Sequence, residues 1–245
     1  MTKEEVLQQC AVEGNIIKIP QQQLDRNVYI EVKKTFELIG GKWKGGNVWG
    51  FVFPTDPTEL LAQVANGVHR NLKKEFQFFA TPPKLADKLV SMANIASGDL
   101  ILEPSAGQGA IVEAILRTGI NDLQIIGVEL METNSMILDQ KGFNHEKGDF
   151  LVIDRAPVYD IVIANPPFSK NQDIDHIMKM YECLNSRGTL VSIASKHWQL
   201  CDNKKETEFR DWLYERSADI EEIERGEFKE SGTTVGGVII TIKKI

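Results

Sequence analysis

From residue 100 onward the chain alternates short apolar runs with helix-like segments, and this alternation constrains the fold more than any other feature. Residues 100–103 read as a strand, 110–116 as a helix, 124–129 as a second strand and 133–140 as a second helix. A short third strand is expected at 144–146 and a fourth at 160–164; 174–184 then reads as helix, and 188–194 and 235–242 as strands. Repeated βα units predict an open, mostly parallel sheet with helices on both faces. In such a sheet ligands bind beyond the carboxyl ends of the strands, so the residues that follow each strand are the first functional candidates.

The first third follows a different pattern and predicts a small α/β appendage over residues 1–72, with the main domain over 73–245. Val32, Phe36 and Ile39 recur at helical spacing, and Gly40-Gly41 would end that helix. Gly45-Gly46-Asn47 is an expected hairpin turn, with Trp49, Phe51 and Phe53 on one strand face. A basic, aromatic hairpin can stack on bases, but aromatics at period two point first to the appendage's own core. Asp56-Pro57-Thr58-Glu59 has the make-up of a boxed helix start.

Charge limits the partners. The net charge of −7 argues against a protein that coats nucleic acid non-specifically, though a local basic groove remains compatible with it. Residues 1–80 carry 10 Lys and Arg against 9 Asp and Glu, leaving 18 against 26 for the rest, so a nucleic-acid footprint should lean on the first third and on Lys196-His197. No apolar run is long enough to span a bilayer and no signal segment opens the chain, so a cytoplasmic protein is expected. Cys10, Cys183 and Cys201 are scattered and odd in number, which fits neither a disulfide framework nor a zinc site, and no metal is expected.

The strand ends carry unusual residues. Glu103-Pro104-Ser105-Ala106-Gly107-Gln108-Gly109 follows the first strand, and its glycines permit a tight turn that lets a ligand approach the backbone. It lacks both the three-glycine dinucleotide fingerprint and the Lys-Ser/Thr of a phosphate-binding loop. Glu129 ends the second strand, where a carboxylate can accept from a ribose diol. Asp149 and Phe150 follow the third, placed for an adenine amino group and its ring. Asn165-Pro166-Pro167-Phe168 follows the fourth strand: a carboxamide held by a proline-restricted backbone beside an aromatic ring, a set that suits a planar amine. Three acids in register at successive strand ends outweigh the reading of each as a cap or a solvated loop charge.

Over residues 76–242 this ordered set resembles class I S-adenosylmethionine-dependent methyltransferases, within them the enzymes that methylate adenine N6 in DNA. The resemblance implies a Rossmann-like α/β fold with a mostly parallel seven-stranded sheet. It also implies S-adenosylmethionine as cofactor, S-adenosylhomocysteine as product, and DNA as substrate. Phe78-Phe79-Ala80-Thr81-Pro82 is similar to the segment that contacts the methionine end of the cofactor. Thr81 can equally cap the helix that follows, and both roles are expected of it. Glu103, Pro104, Ser105, Gly107 and Gly109 match the cofactor loop, Glu129 the ribose acid, and Asp149 with Phe150 the adenine end. Asn165, Pro166, Pro167 and Phe168 match the catalytic motif, with Phe where many members have Tyr, so no role for that hydroxyl carries over.

The implied chemistry is direct methyl transfer to an exocyclic amine after the base is rotated out of the duplex. Lys196, His197 and Phe228 are the further candidates for substrate contact. Glutamine side chains of proteins and ribosomal RNA present similar planar amines and stay open as substrates, as does a cofactor-binding nucleic-acid module without turnover. The resemblance also implies a large target-recognition domain, for which this sequence offers only the appendage and the segment 196–225. A short or relaxed target, or help from a protein partner or a second copy, is therefore expected. A restriction partner, phage protection and regulation are equally compatible biological roles. Acid-rich residues 219–230 read as a solvated strand edge.

Overall fold

The computed structural model describes residues 1–72, 80–224, 227 and 236–245. The chain divides into two compact units, Met1–Phe78 and Phe79–Ile245.

In the first unit a helix over Lys3–Gln8 is fixed by a reciprocal cap: the Thr2 hydroxyl accepts from Glu5 N–H and the Glu5 carboxylate accepts from Thr2 N–H. Strands β1 (Ala11–Glu13), β2 (Ile16–Lys18), β3 (Lys42–Lys44) and β4 (Gly50–Val52) form an antiparallel sheet in the order β1-β2-β4-β3. Helices Arg26–Leu38 and Thr58–Ala65 complete the unit. The second of these starts from Asp56, whose carboxylate accepts from Thr58 N–H, and Pro57 stands before the helix rather than at its first position. The core gathers Val6, Leu7, Ile17, Val32, Phe36, Phe51 and Phe53, with the Phe36 and Phe51 rings 4.9 Å apart. Phe51 and Phe53 are therefore core residues. Trp49 leaves their strand: its backbone takes the left-handed φ of 38° and its side chain stays 42% exposed, edge-on to Trp43.

The second unit is built on a seven-stranded sheet of order β10-β11-β9-β8-β5-β6-β7. Its strands are β5 (Leu100–Glu103), β6 (Gln124–Glu129), β7 (His145–Lys147), β8 (Tyr159–Ala164), β9 (Leu184–Ser195), β10 (Asp219–Glu222) and β11 (Gly237–Lys243). Strands β5 to β9 pair in parallel, whereas β11 runs antiparallel to both neighbours. The third strand starts one residue later than the pattern suggested, at His145, and residue 235 of the expected last strand lies outside the described residues. Strand β10 forms the sheet edge with all four residues exposed, and its acids keep that edge solvated.

Continuous apolar strands fit burial on both faces. Leu102, Val162, Ala164, Leu190 and Ile240 face one cluster with Ile174, Ile177, Phe209 and Leu213 from helices Gln172–Cys183 and Lys204–Glu215. Ile101, Ile161, Ile163, Val191 and Ile239 face the other, with Leu85, Leu89, Ile111 and Ile115 from helices Pro83–Ala93 and Ala110–Arg117. The chain runs from β5 outward through β6 to β7, then returns to place β8 on the opposite side of β5. Strand order thus reverses between β5 and β8, and the crevice beyond their carboxyl ends is the ligand position that such a sheet offers. Among the described residues no helix is long and apolar enough to cross a membrane, and no group of three or more His, Cys, Asp or Glu is placed to hold a metal ion.

Candidate active site

Strand register brings two of the expected residues, Glu129 and Asn165, to one level on either side of Glu103. Glu103 pairs with Gly127 and Leu102 with Val162, so Glu129 and Asn165 both lie two residues beyond Glu103, on the strands either side of it. At sheet spacing this sets their backbones about 10 Å apart, with Glu103 about 7 Å further back along the strand direction. The loop after β5 turns onto the end of β6.

Gly107 and Gly109 make this turn with left-handed φ values of 56° and 84°. Ala106 N–H donates to Val128 C=O at 2.9 Å, and Gly107 N–H to the Glu129 carboxylate at 2.6 Å. The other Glu129 oxygen accepts from Met131 N–H, also at 2.6 Å. Lys141 Nζ holds the Gln108 carbonyl at 2.6 Å. At Gly109 a Cβ would meet the Phe143 ring at 2.7 Å, so this glycine serves close packing of the loop on the following βα unit.

The two acids differ in environment. Glu103 is 1% exposed, and its Oε2 is buried without a hydrogen-bond partner. Burial, reinforced by the Glu129 charge, raises its pKa well above the ordinary carboxylate range. Burial also raises Glu129, but the Met131 and Gly107 N–H groups pull it back. The negative charge of the pair therefore belongs on Glu129.

Asn165 is half-buried and follows directly on β8, with Pro166 buried and Phe168 packed on the Ile161–Ile163 face of the sheet. Its Nδ2 donates to Thr81 Oγ1 at 3.1 Å, which fixes the carboxamide plane and sets Oδ1 on the opposite side. Thr81 does not cap the helix that follows: Pro83–Ala93 begins behind Pro82 with no side-chain cap, and the hydroxyl meets Asn165 instead. The capping half of the dual role expected for Thr81 is therefore absent.

Other expected residues are placed differently. The Asp149 carboxylate accepts from Leu151 N–H at 2.9 Å in a local turn. Phe150 is 2% exposed and belongs to the core, its ring 5.5 Å from His176. Ser105 Oγ lies 3.5 Å from His176 Nδ1. Lys196 Nζ is tied to Glu222 of the edge strand at 2.6 Å, whereas His197 is more than half exposed. Phe228 lies outside the described residues.

Four supporting residues carry little or no signal in the sequence. Asp173, 1% exposed, accepts from Ser195 N–H at 2.8 Å and ties the helix after the Asn165 loop to the end of β9. Buried His176 underlies Ser105 and Phe150; burial pushes its pKa down to about 4, so it is neutral at ordinary pH. Asn171 and Glu206 meet at 2.8 Å. Asp173 carries only the weak signal of an acid in a first helical turn, and the contacts of the other three residues span too many positions for any local pattern to announce them.

The fold is that of the class I S-adenosylmethionine-dependent methyltransferases. No protein-family model matches the sequence. Among solved structures, the chain is similar to the methyltransferase subunit of a type I restriction-modification system from Streptococcus thermophilus. That match has a TM-score of 0.59 at 17% identity and covers 77% of this chain and 50% of that one. The M protein of the type I restriction enzyme EcoKI gives 0.58 at 18% identity, covering 78% and 52%. A Listeria monocytogenes protein assigned to the class I S-adenosylmethionine-dependent methyltransferases gives 0.55 at 12% identity, covering 76% and 66%. At such identities the likeness is one of fold, and the chain spans about half the length of the two restriction-system proteins.

Proposed function

We propose that this chain moves a methyl group from S-adenosylmethionine to the exocyclic N6 amine of adenine in DNA. The observation that carries the reading is the Asn165 carboxamide, oriented by Thr81 at the end of β8, one strand away from Glu103 and two from Glu129.

The residues present fit the cofactor. Glu129 keeps a second lone pair on each oxygen for a ribose diol, and the buried, unpartnered Glu103 Oε2 is an acceptor that a cationic or hydroxyl-bearing ligand would satisfy. Pro104, Ser105, Gly107 and Gly109 would bring backbone close to the ligand, and Asp149 would accept from its adenine amino group. When bound, the cofactor supplies an electrophilic methyl on a sulfonium.

The chain's own task is to make a poor nucleophile adequate. The lone pair of adenine N6 is delocalised into the ring, so Asn165 Oδ1 and the Pro166 carbonyl would each accept one amino hydrogen and localise that lone pair on nitrogen, the surplus proton leaving to solvent after transfer. Catalysis then comes from positioning and fixed dipoles, with no general base needed before transfer. Phe168 would hold the rotated base by stacking, at about 1–3 kcal/mol. His197 is the exposed candidate for a phosphate or base contact; Lys196 would first have to release Glu222. A second copy or a protein partner would extend target recognition.

Incubation with radiolabelled S-adenosylmethionine and, separately, DNA, RNA and total protein tests the assignment. Label in DNA as N6-methyladenine is the expected result. Label confined to RNA or protein reassigns the substrate, and cofactor binding with label in none of the three overturns the enzymatic reading.

A further inference from the structure

The loop that carries Asn165-Pro166-Pro167-Phe168 ends in an uncommon backbone. Lys170 and Asn171 both take the left-handed conformation, with φ of 56° and 58°, although neither is glycine. Two such residues in succession persist only where surrounding contacts over-determine them. The contacts come from the first turn of the Lys204–Glu215 helix. Glu206 Oε1 accepts from Asn171 Nδ2 at 2.8 Å, and Lys205 Nζ donates to the Asn171 carbonyl at 3.1 Å while pairing with Asp175 at 2.7 Å. Asn171 is thus gripped by side chain and main chain together.

Glu206 does more than this one bond. Its side chain is 2% exposed, and the same Oε1 also accepts from Asn203 Nδ2 at 3.3 Å and faces His197 Nε2 at 3.5 Å. One buried acid therefore joins the loop after β8, the segment after β9 and the start of the Lys204–Glu215 helix. For packing alone an apolar residue beside Phe209 and Leu213 would serve, since burying a carboxylate costs desolvation. What the acid adds is a fixed relation between three segments, and two of them hold the catalytic motif and the candidate substrate contact His197.

We propose that Glu206 is a positioning residue that holds the Asn165–Asn171 loop in its working conformation by accepting from Asn171. The functional half of this statement rests on the methyl-transfer reading above; the structural half does not. Amide hydrogen exchange over residues 165–171 therefore gives a readout that needs no turnover. Glu206→Ala should speed exchange there on the order of tenfold and lower kcat on the order of tenfold to a hundredfold, with cofactor affinity unchanged. Glu206→Gln retains an acceptor oxygen and should stay within about threefold of wild type in both readouts. Asn171→Gly keeps the left-handed backbone without strain but removes the donor; it should reproduce the Glu206→Ala loss even if Glu206→Ala folds poorly. Unchanged exchange in Glu206→Ala and Asn171→Gly overturns the proposal, as does a Glu206→Gln loss equal to that of Glu206→Ala. Faster exchange in a protein that methylates nothing would sink the enzymatic reading while leaving the clamp in place.

Discussion

His176 offers the most direct physical test of the site, because its ring is 6% exposed beneath the loop after β5 and its pKa is pushed down to about 4 from 6.5. Desolvation is the main cause, with Lys179 acting in the same direction and the Asp149 and Asp175 charges opposing both. For a base whose folded pKa is depressed, the stabilisation is complete above the unfolded value and is lost as pH falls toward the folded one. The fall from 6.5 to about 4 corresponds to about 3 kcal/mol, of which about 2 kcal/mol is gone by roughly pH 5. Urea denaturation of wild type and His176→Phe at roughly pH 7.5, 6 and 5 measures this. The Phe variant keeps a ring against Phe150 and cannot titrate. Wild type should lose about 2 kcal/mol relative to the variant across that range. Subtracting the variant removes the carboxylates that titrate in the same window, apart from their coupling to His176 itself. A difference flat to within about 0.5 kcal/mol would show that the imidazole reaches water and that the site floor is open.

Asn165→Ala should lower methyl transfer by about a hundredfold or more while cofactor affinity, followed by calorimetry, stays within about threefold; full activity removes the role given to the carboxamide. Glu103→Gln should stabilise the ligand-free protein increasingly as pH rises above 4.5, by about 1.4 kcal/mol per pH unit up to the raised pKa of the folded acid, because ionisation in that window stabilises only unfolded wild type and the amide does not titrate. The pH series of unfolding free energies reads this directly, and a constant offset refutes it. Gly109→Ala should cost roughly 2–4 kcal/mol in urea unfolding, since it sets a Cβ at left-handed φ against the Phe143 ring; a loss below about 1 kcal/mol would mean that the loop shifts freely.

The fold was legible where one face or both faces of an element are apolar. The run at 159–164 and the core strand over 190–194 announce a sheet buried on both sides, and Glu129 falls at the end of its strand as the pattern required. Elements with few apolar positions were not legible. The Lys204–Glu215 helix buries only Phe209, Leu213 and the acid Glu206, so its pattern is mostly charge. Strands β1 and β2 are three residues each, too short for alternation to register. Trp49 fits the period-two pattern of Phe51 and Phe53 but fails in space, because a left-handed backbone resets the face on which a side chain emerges. The same limit applies within the site. Thr81 meets Asn165 across 84 residues, and local reading could see only its nearness to a helix start.

Glu129 shows why the site needs its whole frame rather than its motifs alone. Both carboxylate oxygens already accept a main-chain N–H, one from the loop after β5 and one from the start of the Glu132–Gln140 helix. A ribose diol that takes the remaining lone pairs would add to these bonds without displacing them, so the loop would be set before the ligand arrives. Preorganisation of this kind lowers the ordering cost of binding. It would also give Glu129 two separable contributions, one to loop order and one to ligand contact. Glu129→Gln replaces one oxygen with an NH2 that cannot accept, so one of the two N–H groups at 2.6 Å loses its partner even without ligand. The loop after β5 should therefore loosen in the ligand-free variant, seen as faster amide exchange over residues 105–109, as well as bind cofactor more weakly. Weaker binding with unchanged exchange would mean that Glu129 contacts the ligand without ordering the loop.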